Sequence, residues 1–259
     1  MWLEYHGWMQ TVSLPFPHIA GPAWPGVHML ATTRAGGVSS PPFGTLNLGD
    51  HVGDAPQSVA RNRRVVQEAL PGEPCWLSQV HGIDVHDADL DIGDAHPPRA
   101  DAAVTAVPRR VLAILTADCL PVVIASRDGK ALGLAHAGWR GLAAGVLERT
   151  VAQVRARASD TCALQAWIGP AIGPAAFEVG EDVVEGFGPD ELPGAFVPRA
   201  GVPGKWWCNL PLIAQHRLQA AGIGDVVQSG ACTLSDERFF SYRRDGQTGR
   251  FATFAWLAG

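Results

Sequence analysis

Three side chains in this 259-residue sequence have types and settings suited to chemistry: Cys119, His136 and His81. Cys119 lies in Ala117-Asp118-Cys119-Leu120-Pro121, where an apolar run stops and proline fixes the backbone, so its thiol is expected at a sheet end. His136 follows a second apolar run, in Ala135-His136-Ala137-Gly138-Trp139, and His81 closes the β-like segment Trp76–Val80. Each is followed within two residues by Gly or Pro, as strand ends are, and loop positions on a rigid sheet are where reactive groups concentrate.

Two imidazoles and a thiolate can hold zinc with one coordination position left open. Alternatively, Cys119 is a nucleophile with His136 as its base. A third account makes them a packing thiol and two unrelated turn histidines, since no C-x-x-C or H-x-x-x-H pair favours a metal. Spacing alone leaves all three open.

The elements that would position these residues are legible in outline. Residues 27–33 predict a strand ended by the Gly36-Gly37 turn, 38–50 a loop, and 56–70 a helix opened by Pro56. Val111–Thr116 and Val122–Ser126 are apolar runs of strand length. Arg127-Asp128-Gly129-Lys130 is a hairpin turn, and Ala131–Ala135 is its return strand. That hairpin brings Cys119 and His136 to the same end of a sheet. One helix is expected over 139–157, a short one over 179–186 and another over 210–221. Strands are expected at 166–168, 226–230 and 251–256. The mixed order predicts an α+β fold, read as one domain over 1–259 with a Pro-rich extension over 1–26.

Apolar residues are 47% and charged residues 17% of the chain, enough to bury a sizeable core. A net charge of −5 argues against a nucleic-acid or anionic-membrane surface. Met1–Gln10 lacks a basic, apolar leader, and Val111–Ala125 is too short and too polar to span a bilayer. Five irregularly spaced cysteines do not form a disulfide framework, and Cys75, Cys162 and Cys208 are expected as packing thiols. A cytoplasmic protein is the expectation. Trp206-Trp207 is expected in the core, and Gly169–Pro174 as a rigid turn in a pocket wall. There is no phosphate loop of the G-x-x-x-x-G-K-[ST] type and no dinucleotide-binding fingerprint.

Several segments, in order, carry a resemblance. They are Thr32–Ser39, Leu46-Asn47-Leu48-Gly49, His51–Asp54, Asn62-Arg63, Gln79-Val80-His81-Gly82 and Ala100-Asp101-Ala102. Then come Ala117–Pro121, His136–Gly141, Ile168-Gly169-Pro170, Phe177-Glu178-Val179, Cys232-Thr233 and Phe240–Arg244. Over roughly residues 30 to 256 the chain resembles the YfiH-like family. That family was long labelled a laccase-domain or multicopper polyphenol oxidoreductase family, and its members are described as purine nucleoside phosphorylases with adenosine deaminase activity. The resemblance implies an α+β sandwich with helices outside, metal ligands at His81, Cys119 and His136, and zinc, or copper, as the ion. It also implies purine nucleosides (adenosine, inosine, methylthioadenosine) and phosphate as partners of a monomer or small homo-oligomer.

The residues permit only part of this. With nine histidines and no His-x-His pair, the chain has too little left after three ligands for the further copper cluster of a four-electron oxidase. Phosphorolysis calls for donors to phosphate. Arg34 and Arg140 are the expected anion contacts, and Asn47, Phe43, Gln79 and Arg243 further substrate contacts. Tyr242, Arg243 and Arg244 form a polar cluster that either caps the sheet or meets ligand. Two alternatives stand beside this reading: a Cys119–His136 amide hydrolase, as family members linked to editing peptidoglycan precursors suggest, and a non-catalytic protein that keeps a metal for folding.

Overall fold

Strands whose every residue is apolar must be covered on both faces. The structure, a computed structural model, describes residues 14–90, 96–159, 161–188 and 193–259. It runs β1 (His18–Ala20), β2 (Val27–Thr32), α1 (Pro56–Gln67), β3 (Pro74–Cys75), β4 (Val85–Asp87), β5 (Ala102–Thr105), β6 (Val111–Thr116), β7 (Leu120–Ser126) and β8 (Leu132–Ala137). There follow α2 (Trp139–Ala144), α3 (Val146–Arg155), β9 (Leu164–Ile168), β10 (Glu178–Val179), α4 (Glu181–Phe187), β11 (Phe196–Pro198) and β12 (Trp206–Cys208). The chain closes with α5 (Leu210–Ala220), β13 (Asp225–Gln228), α6 (Tyr242–Asp245) and β14 (Phe251–Leu257).

Two mixed sheets, in the orders β1-β2-β14-β6-β3 and β13-β9-β7-β8-β5-β4, pack face to face. Period-two alternation sorts each strand between layers. Leu112 and Ile114 of β6 meet Val123, Leu134, Trp167 and Phe251 between the sheets. Val111, Ala113 and Leu115 face outward with Val66 of α1. On the far side, Val122 and Ile124 of β7 lie under Leu147, Val151 and Val154 of α3 and Ile213 and Leu218 of α5. The result is the expected α+β sandwich with helices outside. The Asp-Gly hairpin is present, pairing β7 and β8 from Leu120↔Ala137 to Ala125↔Leu132.

The two central runs are not neighbours in one sheet. β6 belongs to the five-stranded layer and β7 to the six-stranded one, so Ala117-Asp118-Cys119 carries the chain from layer to layer. The helix expected over 139–157 is two helices, because Gly145, at φ 100°, ends α2 and starts α3. A small third sheet, β10-β12-β11, has strands of two and three residues, too short to show a period. Trp206 and Trp207 sit on it half-buried rather than in the core, with the Arg199 guanidinium over the Trp207 ring. The described part of the proline-rich start supplies edge strand β1 and the buried Phe16. Residues 1–13, with the segment read as lacking a leader, lie outside the described residues. Cys75 and Cys208 are buried and Cys162 partly so. Among the described residues no helix is long and apolar enough to cross a membrane.

Gly145 therefore carries a backbone conformation that L side chains resist. Replacing it with Ala should lower stability by about 1–2 kcal/mol, seen as a reduced denaturation midpoint at unchanged m-value; an unaltered midpoint would show that the α2–α3 break does not depend on glycine.

Candidate metal and active site

The site grows from the end of β5. Pairing of Ala102 with Ala135 sets Asp101, one residue before β5, beside His136 near the end of β8. The His136 backbone N–H donates to the Asp101 carbonyl (2.7 Å), and Nδ1 lies 2.8 Å from Asp101 Oδ1. The same fully buried carboxylate accepts three successive backbone N–H groups, from Val80 (3.1 Å), His81 (2.9 Å) and Gly82 (2.7 Å). Asp101 therefore holds both histidines, one by its ring and one by its main chain. With Nδ1 engaged, Nε2 is the His136 nitrogen left for a metal.

Two residues here have left-handed backbone without being glycine: His81 (φ 59°) and Asp118 (φ 99°). Such strain costs on the order of 1–3 kcal/mol. Hydrogen bonds to a charged acceptor contribute about 1.5–3 kcal/mol each, so the Asp101 contacts offset it at His81. Asp118 is held in the same way. Its carboxylate accepts from Thr233 Oγ1 (2.6 Å) and the Arg243 N–H (2.7 Å), and its carbonyl from the Ile172 N–H (2.9 Å). That staple fixes the layer-crossing turn that presents Cys119.

One donor atom from each of His81, Cys119 and His136 lies within 4.8 Å of the others. The two rings meet edge to face at 4.7 Å. A Cβ added to Gly138 would come 2.5 Å from His81 Nδ1 and 3.2 Å from Cys119 Sγ, so glycine keeps this space open. A sulfur and two nitrogens, with a carboxylate behind one imidazole, fit zinc in a site with an open position; copper accepts the same donors. Burial pushes the His81 imidazole down, and the neighbouring His136 charge pushes it further, which favours the neutral ligand form. Burial alone would lower His136 too, but the charge on Cys119 and the Asp101 hydrogen bond outweigh it and raise its pKa to about 9. Burial likewise works against the Asp101 carboxylate, and the bonds from His136 and Gly82 prevail, holding its pKa below the usual range.

Beside Cys119 opens a cleft of about 130 Å³ lined by Trp139, Ile172, Phe177, Leu210, Tyr242 and Arg243. Arg243 stands over the Phe177 ring and donates to the Glu178 carbonyl at 2.7 Å, and Tyr242 is 62% exposed at the mouth. The 169–174 turn contributes Ile172 to the wall. Of the substrate contacts expected from sequence, Arg243 lines the cleft. Arg140 lies over Trp139, a lining residue, 4.3 Å from its centroid. Arg34 instead lies over Phe240, at 5.4 Å. Asn47 is fully buried, its amide spent on Gly49, Asp54 and the Arg250 N–H, and Phe43 is buried as well. Gln79 clamps the loop before His81 to β6 through both Leu115 backbone groups. Sequence alone assigns no role to Asp101, Asp118 or Trp139; the signal for Asp101 is a lone acid entering an apolar strand, in Ala100-Asp101-Ala102.

Exchanging Asp101 for Asn keeps the shape but removes the charge that orients His136. Zinc affinity should fall about 10- to 100-fold in competition with a chromophoric chelator; wild-type affinity in Asp101→Asn would remove Asp101 from the centre's support.

A family model described as multi-copper polyphenol oxidoreductase laccase matches residues 28–258. A purine nucleoside phosphorylase of Xylella fastidiosa is 48% identical, with 98% of each chain covered. The purine nucleoside phosphorylase YfiH of Escherichia coli is 45% identical, over 91% of this chain and 97% of that one. The fold matches the crystal structure of a Neisseria meningitidis protein with a TM-score of 0.82 at 40% identity, covering 95% of this chain and all of that one. YlmD from Geobacillus stearothermophilus also gives 0.82, at 33% identity over 94% and 100% of the two chains. By the extent and order of these matches, the chain belongs to the YfiH family, described as multi-copper polyphenol oxidoreductase laccase.

Proposed function

We propose that this chain is a metal-dependent purine nucleoside phosphorylase that also deaminates adenosine, with zinc as the ion. One observation carries the reading: a His81–Cys119–His136 donor set opens onto a cleft whose walls are Trp139, Phe177 and Tyr242. Relatives at 45–50% identity bear the phosphorylase name. An ion on those three donors, with a position open, supplies a Lewis acid at neutral pH.

The chain's own residues do the rest. Three aromatic side chains offer π-faces to a flat heterocycle. Arg243 in the wall and Arg140 beside Trp139 put positive charge around the cleft, a field that draws an anionic co-substrate toward the site. In phosphorolysis a phosphate oxygen bonds to C1′ as the C1′–N9 bond breaks, and the electron pair leaves with the purine. Deamination replaces the C6 amine by a water oxygen and releases ammonia. Adenosine, inosine and methylthioadenosine are the substrates proposed. The nine scattered histidines and the single three-donor cluster among the described residues do not support a polyphenol oxidase.

A second reading draws on a specific contact. Cys119, His136 and Asp101 line up as thiol, imidazole and carboxylate, the order of a cysteine hydrolase acting on an amide. Metal-loaded protein given adenosine and phosphate should release adenine and ribose 1-phosphate, plus inosine from deamination. A chelator and Cys119→Ala should each suppress turnover at least about 100-fold, the range for loss of a catalytic group. No product at high enzyme concentration overturns the phosphorylase reading; activity that survives chelation but is trapped by a thiol alkylating agent favours the hydrolase.

A further inference from the structure

The sequence places no ligand role on Arg250, yet its position in the fold is unusual. β14 pairs with β6 so that Phe251 faces Thr116, which brings Arg250, one residue earlier, alongside Ala117 at the head of the Asp118-Cys119 turn. Its main chain is fixed from both sides. The Arg250 N–H donates to Asn47 Oδ1 (2.8 Å), and its carbonyl accepts from the Leu48 N–H (3.0 Å). The side chain stem runs against Gly49, where an added Cβ would lie 2.8 Å from Arg250 Cγ.

Arg250 is half-buried and belongs to no ion pair among the described residues. Nη1 donates to the carbonyls of Thr248 (3.1 Å) and Gly249 (3.0 Å), and Nε and Nη2 have no acceptor among the described residues. Two residues earlier, the Thr248 hydroxyl is also buried without a partner. A half-buried guanidinium held by two carbonyls on one side, with its other edge unspent, presents a charged fork suited to the oxygens of an anion. Its charge reaches the donor set: it acts on His81 and is itself acted on by Cys119, Asp118 and Tyr242, while burial presses its pKa down.

We infer that the free Nε–Nη2 edge of Arg250 is the seat of a tetrahedral oxyanion, inorganic phosphate, on the β14 side of Cys119. The aromatic cleft with Tyr242 and Phe177 is then left to the heterocycle. This rests on the phosphorylase reading for the identity of the anion, though the cationic seat itself does not. It also gives Asn47 a function without ligand contact, as the residue that locks the Arg250 backbone.

The test uses the full-length, metal-loaded chain with inorganic phosphate as the probe, followed by calorimetry and by steady-state kinetics. Arg250→Gln should raise both the phosphate dissociation constant and the KM for phosphate by about tenfold or more, the scale of a lost charged hydrogen bond. Zinc content per chain should match wild type in the same variant, which ties the loss to phosphate rather than to an emptied donor set. Arg250→Lys, which keeps the charge but loses the fork, should fall between wild type and Arg250→Gln, and serves if Arg250→Gln does not fold. Phosphate affinity equal to wild type in either folded variant overturns the anion seat. A wild-type chain that binds phosphate through Arg250 but cleaves no nucleoside overturns the phosphorylase reading and leaves the seat standing.

Discussion

Asp101 brings four hydrogen-bond donors to one buried carboxylate, and three sequence-distant segments take their positions from it. The turn at residues 80–82, the end of β8 and the start of β5 converge on its two oxygens. Without that charge, His81 has little to hold it in left-handed backbone, and the His136 ring has no fixed orientation. A carboxylate in a water-poor setting is tolerated because every oxygen is used, the condition under which buried charge stabilises rather than destabilises. The donor set is thus preorganised by a group outside it.

Cys119 reaches the same point by a different route. It rides on the turn that carries the chain between the two sheets, and Asp118 holds that turn by reaching Thr233 and the Arg243 main chain. The 169–173 segment, the 232–233 segment and α6 are drawn together as cleft wall. Metal donors and wall therefore share one support, and the two carboxylates divide the work: Asp101 serves the imidazoles, and Asp118 the thiol and the cleft.

Much of the layered core was legible because its strands are long apolar runs: Val111–Thr116, Val122–Ser126 and Phe251–Trp256 all fall within strands. The Asp-Gly turn announced the β7–β8 hairpin, and with it the approach of Cys119 to His136. What the letters did not carry was pairing between short or remote pieces. β3, β10 and β12 have no period to read, and the assignment of β6 and β7 to opposite sheets depends on β14, more than 100 residues later in the chain. The break at Gly145 was hidden because apolar positions on α2 and α3 continue one helical rhythm across it. His81, Cys119 and His136 were found from their settings. Asn47, Phe43 and Gln79 show the limit of motif reading, because a polar or aromatic residue in a distinctive motif reads alike whether it meets a ligand or braces a loop. Arg250 is illegible for the opposite reason: only strand register brings it alongside Ala117, at the head of the turn that carries Cys119.

The route of the chain through Ala117–Cys119 couples the donor sulfur to the sandwich as a whole. His136 is anchored within the six-stranded sheet, whereas Cys119 hangs from the strap tying that sheet to its partner. Any slippage of one layer over the other is felt first as a change in sulfur-to-nitrogen spacing. An ion gripped by all three donors would act as a rivet through the stack, so the interleaved side chains of Leu112, Trp167 and Phe251 set the tolerance of the coordination sphere as surely as the ligands do.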